Sequence, residues 1–342
     1  MNDLALIEDT ARRTIVDALT PEILEAAARG VWPATVWARL EAQGMLQPSA
    51  LAADAPEAFA IEAAVLRAAA ATAAPIPLAE TLLATSFLAA HDLEPPEGPL
   101  TLATFASGEE LVRHGERVSG SLARVPWGRD ASAIVAIAGG DLVLLDPKSG
   151  ELVTGTNLAD EPRDTIRFSG AQPLAIGGPV DRAQMRARGA AARAVQLAEA
   201  AARVLEITAE YATQRQQFGR PIGNFQAIQH QLAAAAGELA SARVASQQAY
   251  QALAAGRGAI KLFACAIAKT RAGDAAGAVA RVGHQVHGAI GYTMEYQLQR
   301  FTRRIQSWRG EFGSSALWAR QIGEMVLAEA NRSAWSIVTS GF

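Results

Sequence analysis

Residues 215–229 read Arg-Gln-Gln-Phe-Gly-Arg-Pro-Ile-Gly-Asn-Phe-Gln-Ala-Ile-Gln, and residues 285–292 read Gln-Val-His-Gly-Ala-Ile-Gly-Tyr. The first block places an arginine at the end of a long helical pattern, then a Phe-Gly-Pro turn, then a new helix that opens with Phe225 and Gln226. A planar cation and an aromatic face beside helix-terminal amides suit the pyrophosphate and adenine of a dinucleotide. The block therefore predicts a cradle for such a ligand.

The two blocks, in this order, resemble the C-terminal helical domain of the flavin-dependent acyl-CoA dehydrogenases. The resemblance can be followed from the N-terminal helices to about residue 325. It implies a fold that is mainly α with a small β domain: an N-terminal helical domain, a middle β domain and a C-terminal four-helix bundle. It also implies FAD as the cofactor and α,β-desaturation of an acyl-CoA thioester as the reaction.

Length and composition narrow the class of protein. At 342 residues the chain exceeds the roughly 250 to 300 residues at which a single core stops growing, so we expect more than one domain. A net charge of −3 gives no basic surface for nucleic acid, and Cys265 is the only cysteine, which excludes disulfide frameworks and thiolate metal clusters.

The N-terminus lacks the pattern of a secretory signal, and no run of about 18 uncharged apolar residues occurs. We expect a cytoplasmic protein without a membrane partner.

Apolar spacing predicts the order of the structural elements. Helical periodicity covers most of residues 4–91, with Thr20-Pro21-Glu22 as a fresh helix start. Short apolar runs between Gly and Pro then predict strands at 100–105, 117–121, 133–138, 142–146 and 165–168. Helical periodicity returns at 182–212, 225–255, 259–283 and 314–329, with the short loops of an antiparallel bundle. We therefore predict an N-terminal helical domain (1–98), a small β domain (99–181) and a four-helix-bundle domain (182–342) for flavin ADP binding and oligomerisation.

The resemblance assigns the ADP half of the flavin site to both blocks, with contacts to the cofactor of a neighbouring subunit. The residues that match the family's positions are Arg215, Gln217, Phe218, Phe225, Gln226, Gln285, Gly288 and Ala289. Ala289 stands where the family has a second glycine, a departure expected to crowd the backbone near the phosphates. The plainer alternative is that Arg215 caps a helix C-terminus and Phe218 is a core residue.

The flavin-ring half matches the family less well. Where the family has a Thr-Glu-Pro-x-x-Gly-Ser-Asp loop, residues 102–109 read Leu-Ala-Thr-Phe-Ala-Ser-Gly-Glu. A tryptophan segment is kept in form, so Trp127 is a candidate to flank the flavin ring, and residues 161–164 resemble the segment that follows. An ordinary place for Trp127 in the β-domain core is the alternative.

The resemblance also locates two positions where the family carries its catalytic glutamate, which removes the α-proton of the thioester. A carboxylate in a dry pocket has a raised pKa and is a stronger base. One position falls on Phe312 and the other on Gly189, and neither has a carboxylate. Glu311 lies one residue away and would enter only through a shift of the loop; the alternative is a solvated loop carboxylate. His284 and His287 have no further ligands to complete a metal set, so no metal site is predicted.

Three hypotheses follow. The first is a non-catalytic or half-site subunit of a heterotetrameric acyl-CoA dehydrogenase, like the short subunits of bacterial enzymes for steroid side-chain degradation, with a sister subunit that carries the base. The second is an independent homo-oligomeric dehydrogenase with a displaced base such as Glu311. The third is a structural relative without flavin. Under the first two, the acceptor of the electrons is expected to be an electron-transfer flavoprotein.

Overall fold

The computed structural model describes residues 3–48, 56–103, 111–256, 258–329, 333 and 335–337. The chain divides into two compact units, Met1–Gly189 and Ala190–Phe342. The boundary between them falls within one long helix, so that helix belongs to both units. No helix in the described part of the chain has both the length and the apolar character needed to cross a membrane.

The first unit begins with five helices: α1 (Asp3–Ala18), α2 (Pro21–Ala28), α3 (Ala34–Ala42), α4 (Pro56–Thr72) and α5 (Leu78–Ala89). The start of α2 is as predicted, because the Thr20 hydroxyl accepts a hydrogen bond from the Ile23 amide and Pro21 occupies the first turn. Residues of α4 and α5 are buried along most of their length, which explains why neither helix shows a clear polar face.

Eight short strands follow in the first unit: β1 (Leu100–Leu102), β2 (Val112–His114), β3 (Arg117–Pro126), β4 (Ala133–Ala138), β5 (Asp141–Leu145), β6 (Glu151–Val153), β7 (Arg163–Ala171) and β8 (Ala175–Pro179). They form two four-stranded sheets, with strand orders β1-β4-β5-β8 and β2-β3-β7-β6. Only the β1–β4 pair is parallel among these strands. Apolar residues of both sheets, such as Ile134, Val143, Val118 and Phe168, share one core.

The second unit is helical. Its helices are α6 (Arg182–Gln214, which starts in the first unit), α7 (Gln226–Ala254), α8 (Gly258–His287), α9 (Leu298–Trp308) and α10 (Ser315–Ala328). A two-stranded hairpin, β9 (Gln216–Gln217) with β10 (Arg220–Pro221), separates α6 from α7. A short 3-10 helix, Gly288–Tyr292, follows α8.

The predicted class, mainly α with a small β region, is confirmed. Helix α9 and strands β2, β6 and β8 were not predicted. The missed helix carries a readable signal, because its buried residues Leu298, Phe301, Ile305 and Trp308 recur at helical spacing. The predicted strand at 100–105 ends at Leu102, and its last two residues lie outside the described part of the chain. The division into three domains stays a prediction.

Candidate functional site

The hairpin between α6 and α7 displays Phe218 to solvent. Its turn consists of Phe218 and Gly219, whose φ angles are +53° and +76°. A two-residue hairpin loop of type I′ requires positive φ at both positions, and its twist matches the strands on either side. The Phe218 side chain is 92% exposed, so its alternative place in the core is wrong. An exposed aromatic ring of this kind offers a face on which a planar ligand group can stack.

The start of α7 lies directly after this hairpin. Phe225 precedes the first residue of α7 and supplies no side-chain acceptor for the helix amides. The Arg220 guanidinium lies 4.3 Å from the centre of the Phe225 ring, and the Phe218 ring meets Phe225 edge-on at 6.1 Å. Uncapped amides of a 29-residue helix carry a partial positive charge, so an anion is favoured at this end.

The second block ends α8 beside the end of α6. The rings of Tyr211 and His287 stack with their centres 4.3 Å apart, and this contact holds the two helix ends together. Gly288 has φ +64°, which favours glycine, and opens the short 3-10 helix that follows. Ala289 lies in that helix and is absent from the residues with positive φ, so its methyl group adds no backbone strain.

Four polar side chains at these helix ends are free. Each is exposed, and none makes a side-chain hydrogen bond or ion pair within the described residues: Arg215, Gln217, Gln226 and Gln285. Arg215 follows the last residue of α6, and two hydrogen bonds fix its backbone. The Arg215 amide donates to the Tyr211 carbonyl (2.9 Å), and the Arg215 carbonyl accepts from the Ile222 amide (2.8 Å). A fixed backbone with an unused guanidinium is suited to bind a phosphate group.

The two histidines of the second block have structural partners. His287 bonds the Gly283 carbonyl through Nδ1 (2.7 Å) and the Tyr296 hydroxyl through Nε2 (3.1 Å), while His284 bonds Thr302 (2.9 Å). Burial lowers the pKa of both imidazoles, which favours their neutral forms. Among the described residues, no group of three or more His, Cys, Asp or Glu side chains is arranged to hold a metal ion.

The candidate residues for the flavin-ring half lie in the first unit. Residues 104–110, which include most of the altered loop, are outside the described part of the chain. Trp127 is 5% exposed and meets the Trp32 ring edge-on at 5.9 Å, so it is buried, and a place beside the flavin ring stays a prediction. In the next matching segment, the buried Asp164 carboxylate accepts bonds from the Arg129 side chain and from the Gly155 amide. Burial raises the pKa of the nearby Asp130 to about 6.

Neither position expected for a base holds a carboxylate. Gly189 lies within α6, and Phe312 lies in the loop between α9 and α10 with its ring 6% exposed. Phe312 and Gly313 have φ angles of +54° and +101°, so the backbone turns sharply here. The Phe312 carbonyl accepts a hydrogen bond from the buried Trp318 indole (2.9 Å).

Glu311 is partly buried and pairs with a buried arginine, so the expectation of a solvated carboxylate is wrong. Its side chain is 10% exposed, and its Oε2 atom lies 2.6 Å from Nη2 and 2.8 Å from Nε of Arg193, which is 2% exposed. The third guanidinium nitrogen of Arg193 donates to Gln196 (2.5 Å), and the rings of Trp308 and Phe312 flank the cation. Arg193 follows Gly189 by four residues, which places both on one face of α6.

Lys269 is a second buried cation that the sequence interpretation missed. It is fully buried in α8, and its Nζ atom donates to the carbonyls of Arg309 and Gly313 (both 2.8 Å) and of Trp308 (3.4 Å). Three carbonyls match the three N–H donors of an ammonium group. Those of Trp308 and Arg309 lie at the C-terminal end of α9, where carbonyls have no partner within the helix. Burial lowers the pKa of Lys269 to about 7, against the charge of Glu311, which favours the ammonium form.

A cavity borders the α9–α10 loop. It has a volume of about 540 Å³ and is bordered by Arg309, Gly310, Ser314 and Ser315, and by Thr270 and Asp274 of α8. Residues of this loop thus both bind buried side chains and border the cavity.

The buried ammonium group predicts a pH-dependent stability. The pKa of Lys269 is about 7 in the folded chain and about 10.5 in the unfolded one, so between these values the unfolded chain binds more protons. The free energy of unfolding of the wild type should therefore rise with pH in this window relative to Lys269→Met, by at most about 1.4 kcal/mol per pH unit. Urea denaturation of both proteins at pH 7, 8 and 9 measures the difference, and a constant difference would contradict the assignment.

Comparison with known proteins agrees with this arrangement. The family model described as "Acyl-CoA dehydrogenase, C-terminal domain" matches residues 183–327. "Acyl-CoA dehydrogenase FadE34" of Mycobacterium tuberculosis is 31% identical over 223 residues, which is 63% of this chain and 30% of that protein. The chain spans about a third of the length of the first curated relatives that it matches, with shares of 30%, 35% and 31%.

Solved structures match over nearly the whole chain. The steroid ACAD Tcur3481-Tcur3483, in a variant form, has a TM-score of 0.88 and 25% identity over 96% of this chain and 99% of that one. The ChsE4-ChsE5 complex from Mycobacterium tuberculosis has a TM-score of 0.86 and 22% identity over 98% and 99% of the two chains, which shows the same fold. With the two sequence blocks and the helix–sheet–helix order, these matches show that residues 183–327 form an acyl-CoA dehydrogenase C-terminal domain and that the chain has the fold of the acyl-CoA dehydrogenases.

Proposed function

We propose that this chain is the non-catalytic, half-site subunit of an FAD-dependent acyl-CoA dehydrogenase, a heterotetramer that contains two copies of each of two subunits. Its role is to bind the ADP half of a flavin whose ring lies mainly in the sister subunit. The observation that carries the proposal is the contrast between the free, exposed Arg215 end of α6 and the absence of a carboxylate at Gly189 and Phe312. The chain keeps binding groups where it lacks the catalytic one.

The residues at the helix ends fit the ADP half of FAD. The Arg215 guanidinium and the first amides of α7 supply positive charge for the diphosphate. The exposed Phe218 ring offers a face for adenine, and Gln217, Gln226 and Gln285 offer amide groups to its polar atoms and to the ribose. When bound, FAD supplies the acceptor for the hydride that leaves the acyl-CoA; the residues of this chain hold the cofactor.

The arrangement of Glu311 supports the half-site role over an independent dehydrogenase. A general base must reach the proton that it removes, and it must be free to accept that proton. Glu311 instead pairs with two nitrogens of a buried guanidinium inside the helical unit. A carboxylate engaged in this way is not free to act as the base, so we assign the base to the sister subunit.

Names of similar proteins guide the choice of partner and substrate. The solved structures with the same fold include one called a complex, ChsE4-ChsE5, and one called a steroid ACAD, Tcur3481-Tcur3483. We accordingly assign a sister acyl-CoA dehydrogenase subunit as partner, a steroid side-chain acyl-CoA as substrate class, and an electron-transfer flavoprotein as electron acceptor, in the cytoplasm.

Assembly is the first test. The chain expressed alone should be colourless or insoluble, because the residues for the flavin ring are incomplete. Co-expression with a sister subunit should give a yellow complex, with a flavin spectrum and a mass that fits two copies of each chain. A yellow, active homo-oligomer formed by this chain alone would overturn the proposal, and a colourless, stable complex would favour the relative without flavin.

Arg215 provides a test of the cofactor site. Arg215→Ala should lower the FAD content of the complex without unfolding it, because each charge-assisted bond to phosphate contributes about 1.5 to 3 kcal/mol, or roughly a tenfold to hundredfold change in affinity. Arg203→Ala is the matched control: Arg203 is on the same helix and pairs only at the surface with Glu206. The ratio of flavin to protein absorbance measures the effect. Equal FAD content in both variants would refute the role of Arg215.

Glu311 provides a test of the base. Turnover per bound flavin of the Glu311→Gln complex should stay within a few-fold of the wild type, because no proton passes through this carboxylate. Removal of a true proton acceptor costs a factor of about 10² to 10⁴. Oxidation of an acyl-CoA with an artificial electron acceptor distinguishes the two. A hundredfold loss with flavin retained would make this chain a catalytic subunit.

A further inference from the structure

The loop between α9 and α10 is attached to the interior of the helical unit at three points. Lys269 of α8 binds the carbonyls at its two ends, Arg309 and Gly313. Arg193 of α6 binds the Glu311 side chain, and the Trp318 indole of α10 binds the Phe312 carbonyl. The three attaching side chains, Lys269, Arg193 and Trp318, are buried.

The three attachments differ in what they fix. Lys269 and Trp318 bind main-chain carbonyls, which every residue provides, so they fix the path of the backbone but do not specify the sequence that follows it. Of these three groups, Arg193 is the one that binds a side chain of the loop, that of Glu311. It therefore determines that Glu311 is the loop residue that faces α6. With Glu311 in that place, Phe312 occupies the position where the family carries its catalytic glutamate.

We propose that Arg193 is a positioning residue that acts through Glu311 to fix the register of this loop. The pair withholds Glu311 from the place that Phe312 occupies, and it keeps the cavity wall formed by Arg309, Gly310, Ser314 and Ser315 in one conformation. This inference rests on the proposed function, because the register of the α9–α10 loop is what leaves the chain without a carboxylate at the position of the base. Its structural content is independent of flavin and of the partner.

The geometry explains why arginine serves here. All three guanidinium nitrogens are used: two bind Oε2 of Glu311 and the third binds Gln196. A lysine ammonium has no planar fork and cannot reproduce these directions. A pair of apolar side chains of similar volume would fill the same space, and such exchanges of buried ion pairs are often neutral for stability, but they would not direct the loop.

The experiment compares Arg193→Met, Arg193→Lys, Glu311→Leu, the double variant Arg193→Met/Glu311→Leu and the control Arg203→Met, all in the purified complex. Hydrogen exchange followed by mass spectrometry reports on residues 309–314, and thermal unfolding reports on global stability. We expect the single variants at Arg193 and Glu311 to exchange at least tenfold faster in this loop. The double variant should recover the melting temperature while its loop still exchanges at least tenfold faster, and the control should match the wild type.

Two results would overturn the inference. One is wild-type exchange of residues 309–314 in the double variant, which would mean that packing alone fixes the loop. The other is full protection of the loop in Arg193→Lys, which would mean that any cation suffices. If the single variants fail to fold, the double variant still decides the question. Failure of the proposed function appears elsewhere, as turnover that depends on Glu311, so the two failures are distinguishable.

Discussion

Close approach of alanine-lined helices is the constraint on which the second unit depends. The buried faces of α6 and α8 consist largely of alanine, for example Ala194, Ala201, Ala268 and Ala276. At Gly283 even a methyl group would lie 2.8 Å from Val204. Side chains of this size let the helix backbones pack closely but leave little space for functional groups between them. Polar residues able to bind a ligand therefore collect at the helix ends, where the hairpin and the short 3-10 helix lie.

Local patterns in the sequence predicted most of the fold. The helical spacing of apolar residues, the Thr20 cap and the short apolar runs between Gly and Pro can each be read from neighbouring residues. The ADP-binding block was also readable, because its turn and helix start lie within fifteen consecutive residues. Contacts between distant residues were not. The Arg193–Glu311 pair joins residues 118 positions apart, and Lys269 binds carbonyls 39 to 44 positions away. No local pattern distinguishes a solvated loop glutamate from one that meets a buried arginine.

The buried cations Arg193 and Lys269 and the partly buried Glu311 lie around the α9–α10 loop, and this arrangement is costly. Each ion loses hydration worth several kcal/mol, which the partner and the hydrogen bonds repay only with good geometry. Breaking such a pair costs about 3 to 5 kcal/mol, whereas a matched apolar pair is often no less stable. Stability alone therefore gives no reason for Arg193, Glu311 and Lys269. Directional control of the loop gives one, since charge-assisted bonds fix orientation as well as distance.

The same contacts decide whether Glu311 can move into the position of Phe312. A shift of the loop by one residue would turn the Glu311 carboxylate away from Arg193 and leave a guanidinium that is 2% exposed without its anion. It would also displace the Gly313 carbonyl from Lys269 and the Phe312 carbonyl from Trp318. Phe312 would then take the place of Gly313, where φ is +101°, a backbone conformation that is strained for a bulky side chain. Each change is unfavourable and all must occur together, so the register that places Phe312 there is built into the packing of four helices.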